Sequence, residues 1–293
     1  MNKTFTNWLL FTLLSLIWGS SFILIKIGLN NHLSPYQVAA IRVVSAGLVL
    51  FPIAISVIRK IPLAKLWYVF LSGLLGSFIP AFLFCIAEEG VDSSLAGMLN
   101  CITPIFVIVI GALFFKMQTS QRKIVGVIIA FIGCVLLLIS NGHMQESRHL
   151  MYVSFIVLAT IFYAINVHLV TRHLSSIPSL QIAAVALTLN AIPASFILLF
   201  SGFFSLSFSN PALVLATGAA TLLGVVGTAF ATILFYSLVK RAGGLFASMV
   251  TYGIPFVAIA WGIYYKEHFS LLQVGCLLII LWGIYLANKN PNG

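Results

Sequence analysis

The sequence predicts an all-α integral membrane protein: ten transmembrane helices, arranged as two inverted five-helix repeats around a central cavity. Three observations carry that expectation. Of 293 residues, 61% are hydrophobic and 7% are charged, whereas a soluble domain carries about 25% charged residues. The apolar runs are long and unbroken, while the strands of a membrane barrel would alternate apolar and polar residues, so helices are the spanning element. One interrupted apolar segment also occurs twice. Ser94 to Phe115 reads SLAGMLNCITPIFVIVIGALFF, and Leu245 to Tyr265 reads LFASMVTYGIPFVAIAWGIYY, so that Ala96, Met98 and Pro104 match Ala247, Met249 and Pro255.

The spans follow in order, each near the roughly 20 residues a helix needs to cross a bilayer. The first, about Trp8–Gly28, follows Lys3 and resembles a signal peptide, but its length and the lack of a small-x-small cleavage site mark it as uncleaved. The second runs over about Pro35–Ile58 and the third over about Leu66–Ala87, with Pro80 as a further kink. The fourth, about Ser93–Phe115, is the first proline-interrupted segment, and the fifth is about Lys123–Ser140. The sixth to eighth cover about Met151–Thr171, Ser179–Ser201 and Pro211–Leu238. The ninth, about Gly244–Tyr265, is the second interrupted segment, and the tenth is about Leu271–Asn288. The short connections hold the turn and charge punctuation, and none is long enough for a separate domain.

The net charge of +10 is not a nucleic-acid footprint, because the basic residues sit at the ends of apolar runs. With the N-terminus in the cytoplasm, Lys3, Arg59, Lys60, Lys65, Lys116, Arg122, Lys123, Arg172, Lys240, Arg241 and Lys289 fall on the cytoplasmic side. Lys26, Arg42, Arg148 and Lys266 fall outside or toward it, as do the acids Glu88, Glu89, Asp92, Glu146 and Glu267. The positive-inside rule therefore puts both termini in the cytoplasm. Cys85, Cys101, Cys134 and Cys276 lie inside apolar runs without CxxC spacing and read as buried small hydrophobes.

The halves repeat beyond the proline segments: Gln37-Val38-Ala39-Ala40 faces Gln181-Ile182-Ala183-Ala184. Residues 1–143 and 144–293 form the two units, five spans each. An odd number of spans makes the second unit enter the membrane from the opposite face. Interrupted helices at corresponding places in inverted halves point to a transporter site between them.

At these residues the chain resembles the EamA family of ten-helix carriers, within the drug/metabolite transporter superfamily. The motifs are Trp18-Gly19 followed by Lys26, then Ser34-Pro35, Arg42, the segments Ala96…Pro104 and Ala247…Pro255, and Gly126 and Gly275 opening the fifth and tenth spans. The resemblance covers nearly the whole chain, and it rests on the order, spacing and duplication of motifs that are weak singly. It implies two five-helix repeats packed around a cavity and transport of small metabolites, often outward. The family often ends its fourth and ninth spans with glutamate; here Glu267 stands in the second half and Met117 in the first. Lys26 and Arg42 align with Val170 and Ala186, so the charged pair belongs to one half only.

Candidate substrate-binding residues are Trp18, Arg42, Asn100, Thr103, Tyr163, Asn166, Thr251 and Tyr252, with Lys26, Pro104 and Pro255 as gating elements. Arg42 lies roughly 10 Å deep at helical rise. It is either a cavity cation for a substrate carboxylate or a structural partner of Glu88, Glu89 or Asp92. Lys26 either gates or snorkels to the outer interface. Pro104 and Pro255 free the carbonyls of Asn100 and Thr251, which either face a water-lined cavity or sit in kinks glued by small polar groups. Tyr163 and Asn166 share a helix face. Trp18, at mid-span, either lines the cavity or belongs to an aromatic belt. His168 reads as a solvated interface histidine rather than a proton relay. The glycines of the spans read as sites of close helix contact.

The function expected is secondary transport of a small amino-acid-like or other amphipathic metabolite, by efflux through alternating access in a bacterial inner membrane. Its partners are the lipid bilayer and a small-molecule substrate, with no nucleic acid, and coupling to protons or a counter-substrate stays open. No cofactor or metal site is expected. There is no P-loop for direct use of ATP, and no HExxH, paired mid-span aspartate or Ser/His pairing for an enzyme. The alternative from another class is a non-transporting membrane scaffold or assembly subunit of the same fold.

Overall fold

The computed structural model describes residues 3–115, 121–140, 147–267 and 270–288. Lys116, Met117, Glu146, Lys289 and the expected boundary between residues 143 and 144 lie outside them. The described residues form ten long helices, a 3-10 turn at Phe203–Ser205 and no strand. The helices are α1 (Thr4–Asn30, with a turn at Ser20), α2 (Pro35–Ile58), α3 (Leu63–Ala87), α4 (Ser93–Phe115), α5 (Gln121–Ser140), α6 (His149–His173), α7 (Ser179–Phe200), α8 (Pro211–Ala242), α9 (Gly244–Tyr264) and α10 (Leu271–Asn288).

Among the described residues, eight of these are long and apolar enough to cross a membrane by length and composition. α5 and α10 are the helices expected as the fifth and tenth spans, and their apolar stretches among the described residues are Ile124–Leu137 and Leu271–Ala287. The molecule is an all-helical, multi-pass integral membrane protein. Its outward-facing surface is apolar, with exposed Leu48, Phe51, Ile55, Phe131, Phe196, Leu199 and Trp282, as lipid contact requires.

Helix starts follow capping chemistry. Ser34 and Gln37 form a reciprocal capping box with Pro35 in the first turn of α2. Asn210 caps α8 at Ala212, again beside a proline. Ser270 and Gln273 exchange the same pair of bonds at the start of α10. α8 gives way to α9 at Gly243, whose φ of +87° suits glycine alone.

Small residues bring helices together. α2 packs along α7 through buried Ala39, Ala46, Ala184 and Ala191, and Thr188 Oγ1 donates to the Gly47 carbonyl across 3.2 Å. α5 packs along α10, where a Cβ at Gly126 would fall on the Gly283 carbonyl. In lipid there is little hydrophobic gain between helices, so close backbone approach is the main source of cohesion. Elsewhere α3 and α4 pack on α6, α8 and α9 pack on α1, and α4 meets α9.

Four spans depart from α geometry. α4 tightens to a 3-10 turn at Asn100–Ile102 and α9 does so at Met249–Tyr252, each just before its proline. α3 widens to a π turn at Leu74–Phe78, and α8 at Leu223–Phe230. The sequence announced the first pair through proline and gave no sign of the second.

Candidate functional site

The four irregular turns surround one hollow. It is walled by α1, α2, α3, α4, α6, α8 and α9, and its empty volume, counted out into open solvent, is about 820 Å³. About 70 Å³ of that admits the centres of water molecules, room for several waters. Trp18, Phe22, Phe84 and Phe235 supply apolar walls. π turns recur at functional sites because the extra residue re-aims side chains and leaves main-chain carbonyls free. Here one such carbonyl, Gly227 O, accepts from Trp18 Nε1 at 3.0 Å.

Arg42 is the charged group in the wall. It is 7% exposed, and its Nε donates to Thr228 Oγ1 across 2.8 Å. Thr228 Oγ1 in turn donates to the Leu223 carbonyl five residues back, at 3.2 Å, in the π turn of α8. That spends the hydroxyl proton and leaves its lone pair for arginine. Tyr163 lines the same hollow. A guanidinium has five N–H donors in a planar fork suited to a carboxylate, and one threonine does not saturate it. The charge is therefore held in place by a neutral group rather than by the ion pair with Glu88, Glu89 or Asp92 that was its alternative.

The hollow gathers Trp18, Arg42, Asn100, Thr103, Tyr163, Asn166 and Thr251. Tyr252 lies outside its lining, half-buried against the apolar core. Pro104 and Pro255 are buried behind the wall. The carbonyls they release do not open onto water. Asn100 O accepts from Thr103 Oγ1 at 2.8 Å, and Thr251 O accepts from Cys101 Sγ at 3.2 Å. A side chain thus takes each bond that proline removes. All four cysteines are free and buried.

Lys26 is half-buried rather than free in solvent. Its Nζ donates to the carbonyls of Glu88 and Val91, at 3.1 and 3.3 Å, where α3 ends. A cation there meets the negative end of the helix dipole. His168 is not solvated either: it is buried, its ring stacks on Phe115 at 4.7 Å, and its Nε2 lies 2.8 Å from the Val107 carbonyl. At the Lys26 end, Glu88 is fully buried. One carboxyl oxygen accepts from Ser93 Oγ at 3.0 Å, and the other has no partner. Burial holds this carboxyl well above the ordinary carboxylate range, outweighing the nearby Lys26 charge and the Ser93 hydrogen bond.

Sequence reasoning passed over Ser77, Thr228, Thr232, Tyr236 and Ser248, which also line the hollow. The available signal was glycine next to a small hydroxyl residue in the third and eighth spans: Gly76-Ser77 and Gly227-Thr228. Among the described residues no three His, Cys, Asp or Glu side chains gather as a metal set.

A multi-pass helical membrane protein whose broken helices enclose a partly polar hollow has the build of a small-molecule carrier. The chain belongs to the EamA-like transporter family, whose model matches it twice, over residues 6–139 and 150–289. It is therefore a membrane transporter. It is 26% identical over 283 residues to an uncharacterized transporter of Archaeoglobus fulgidus, covering 96% of this chain and 98% of that protein. A "probable amino-acid metabolite efflux pump" of Salmonella typhimurium is 33% identical over 127 residues, which is 43% of this chain and 40% of the pump. Protein PagO of the same organism is 24% identical over 95% of this chain and 91% of its own length. A solved crystal structure superposes with a TM-score of 0.67 and 13% identity, over 96% of this chain and 95% of its own, a likeness of fold.

Proposed function

We propose that this protein is a secondary transporter exporting a small, carboxylate-bearing, amino-acid-like metabolite by alternating access. The observation that carries the reading is Arg42, a buried guanidinium fixed by Thr228 on the wall of an otherwise neutral hollow. An unpaired cation costs about 2.5–3.5 kcal/mol at a helix centre on insertion scales and less at the depth of Arg42, and an anionic substrate group compensates it. The export direction and the amino-acid class draw support from the name of the Salmonella relative.

The ten helices act as two inverted repeats, residues 1–143 and 144–293, with both chain ends in the cytoplasm. Helix packing supports this. Exchanging each helix with the one five places on turns the α3–α6 contact into α8–α1, α4–α6 into α9–α1, and α2–α8 into α7–α3. The same exchange carries α2–α7 and α5–α10 into themselves, as a two-fold axis would, and α5 and α10 complete the ten spans. The double match of the family model agrees with the division. Alternating access then consists of the two repeats exchanging conformations around the hollow.

The test is flux of radiolabelled apolar amino acids in sealed proteoliposomes. Wild type moves them, and Arg42→Gln, still folded by size-exclusion chromatography, does not. Undiminished flux in that variant rejects the role of Arg42. Absence of flux in wild type, across amino acids, nucleosides and small drugs, favours a scaffold. Glycosylation tags at the two chain ends must both report the cytoplasmic side.

A further inference from the structure

Two buried oxygens in the hollow have no hydrogen-bond partner: Ser77 Oγ, on a residue 4% exposed, and Asn166 Oδ1, on a residue 3% exposed. Native structures rarely leave such groups unpaired, and an orphan in a cavity calls for a partner there, a water or a ligand atom. The neighbouring network settles which way the Asn166 amide points. The Tyr236 hydroxyl donates to the Ser72 carbonyl at 3.3 Å, so its lone pair receives Asn166 Nδ2 at 3.4 Å. The amide nitrogen is committed, and the oxygen is left as an acceptor. Gly76 permits the arrangement, because a Cβ there would fall on the Asn166 amide.

Asn166 lies three residues from Tyr163 on α6, so the two share one helix face about one turn apart. Tyr163 adjoins the Arg42 guanidinium. The hollow therefore carries donors at Arg42 and unused acceptors at Ser77 and at Asn166, about a helical turn along from Tyr163. No carboxylate lines it. The remaining wall, with Trp18, Phe22 and Phe84, is aromatic.

We propose that Ser77 and Asn166 accept hydrogen bonds from the protonated α-amino group of a zwitterionic amino acid whose carboxylate lies on Arg42, so that the hollow selects apolar amino acids over their des-amino analogues. This rests on the Arg42 reading above and adds the second half of the recognition. Neutral oxygens suit an ammonium that must later leave, since they solvate it without the strong attraction of a buried carboxylate. The aromatic walls add quadrupole attraction for the cation and burial for an apolar side chain.

The experiment compares three probes on the purified full-length protein in detergent: phenylalanine, 3-phenylpropionate, which lacks the ammonium, and 2-phenylethylamine, which lacks the carboxylate. Wild type is expected to bind phenylalanine about tenfold tighter than 3-phenylpropionate, the effect of about 1.4 kcal/mol. Ser77→Ala reduces that ratio several-fold with 3-phenylpropionate affinity unchanged. Asn166→Asp, which keeps the shape and adds charge, raises affinity for 2-phenylethylamine. Equal wild-type affinity for phenylalanine and 3-phenylpropionate overturns the ammonium site and leaves Arg42 standing, as does a ratio unmoved in both variants. If Arg42→Gln binds 3-phenylpropionate as wild type does, the carboxylate reading itself falls. Binding of none of the three probes overturns both.

Discussion

Glu267 holds Ser93 by its main-chain N–H, with Oε1 and N 3.1 Å apart, while the second carboxylate oxygen takes the N–H of Ser94 at 3.0 Å. The residue just beyond α9 thereby satisfies two of the orphan donors at the start of α4, and its charge complements the helix dipole. The family resemblance pointed to a glutamate here without a role; the structure makes it a clasp between the two proline-broken helices. Glu267→Ala is expected to lower stability by about 1 kcal/mol, the usual worth of an N-cap, and Glu267→Gln by less. Thermal unfolding in detergent measures both, and an unchanged midpoint in the alanine variant contradicts the clasp.

Glu88 makes stability depend on pH. Burial raises its carboxyl above the ordinary value near 4.5 against the pull of Lys26 and Ser93; Arg42 lowers it further and Glu267 raises it. A folded-state value above the unfolded one means that the folded protein holds the proton longer. The stabilising contribution is complete below the ordinary carboxylate pKa and is lost as pH rises through the raised one. The unfolding temperature should fall over that window in wild type, and Glu88→Gln should flatten the fall. Parallel curves for the two proteins would show that Glu88 does not titrate this way.

Thr228 is a positioning residue for Arg42. Thr228→Val keeps the shape and removes the oxygen at 2.8 Å from Nε. Hydrogen bonds to charged groups contribute about 1.5–3 kcal/mol, so carboxylate affinity should drop about tenfold or more in Thr228→Val and recover in Thr228→Ser. Equilibrium binding of 3-phenylpropionate reads this out. Equal affinity in the valine variant means that Arg42 is held by other contacts.

The α5–α10 contact depends on glycine. A Cβ at Gly283 would fall on the Ala130 main chain and the Gly126 carbonyl. Gly283→Ala should cost about 1–3 kcal/mol, the range for overpacking. A variant as stable as wild type would mean that the two helices do not approach through this residue.

Much of the architecture was legible in the residues because lipid leaves the chain few choices. Long uncharged runs become helices, and Pro104 and Pro255 interrupt two of them, since a missing N–H and a ring clash cannot be hidden. Trp18, Arg42, Tyr163 and Asn166 were legible as candidates because polar and aromatic groups at such depth stand out against an aliphatic background. The π turns of α3 and α8 were not legible, since the i to i+5 register has no compositional signature. Neither was Lys26, whose partners are main-chain carbonyls from another helix.

By itself, then, the sequence determined which segments are helical, where two of them break, and which side chains are too polar to face lipid. Only the tertiary structure decided which of those side chains meet. It put Arg42 against Thr228 rather than an acid, took Tyr252 out of the hollow, brought Gly76 against Asn166, and buried Glu88. The physical reason is that helix formation depends on bonds within about four residues of the chain. Those meetings depend instead on how closely glycine and alanine let distant helices approach, and on the widened turns that rotate one face of α3 and α8 toward the hollow.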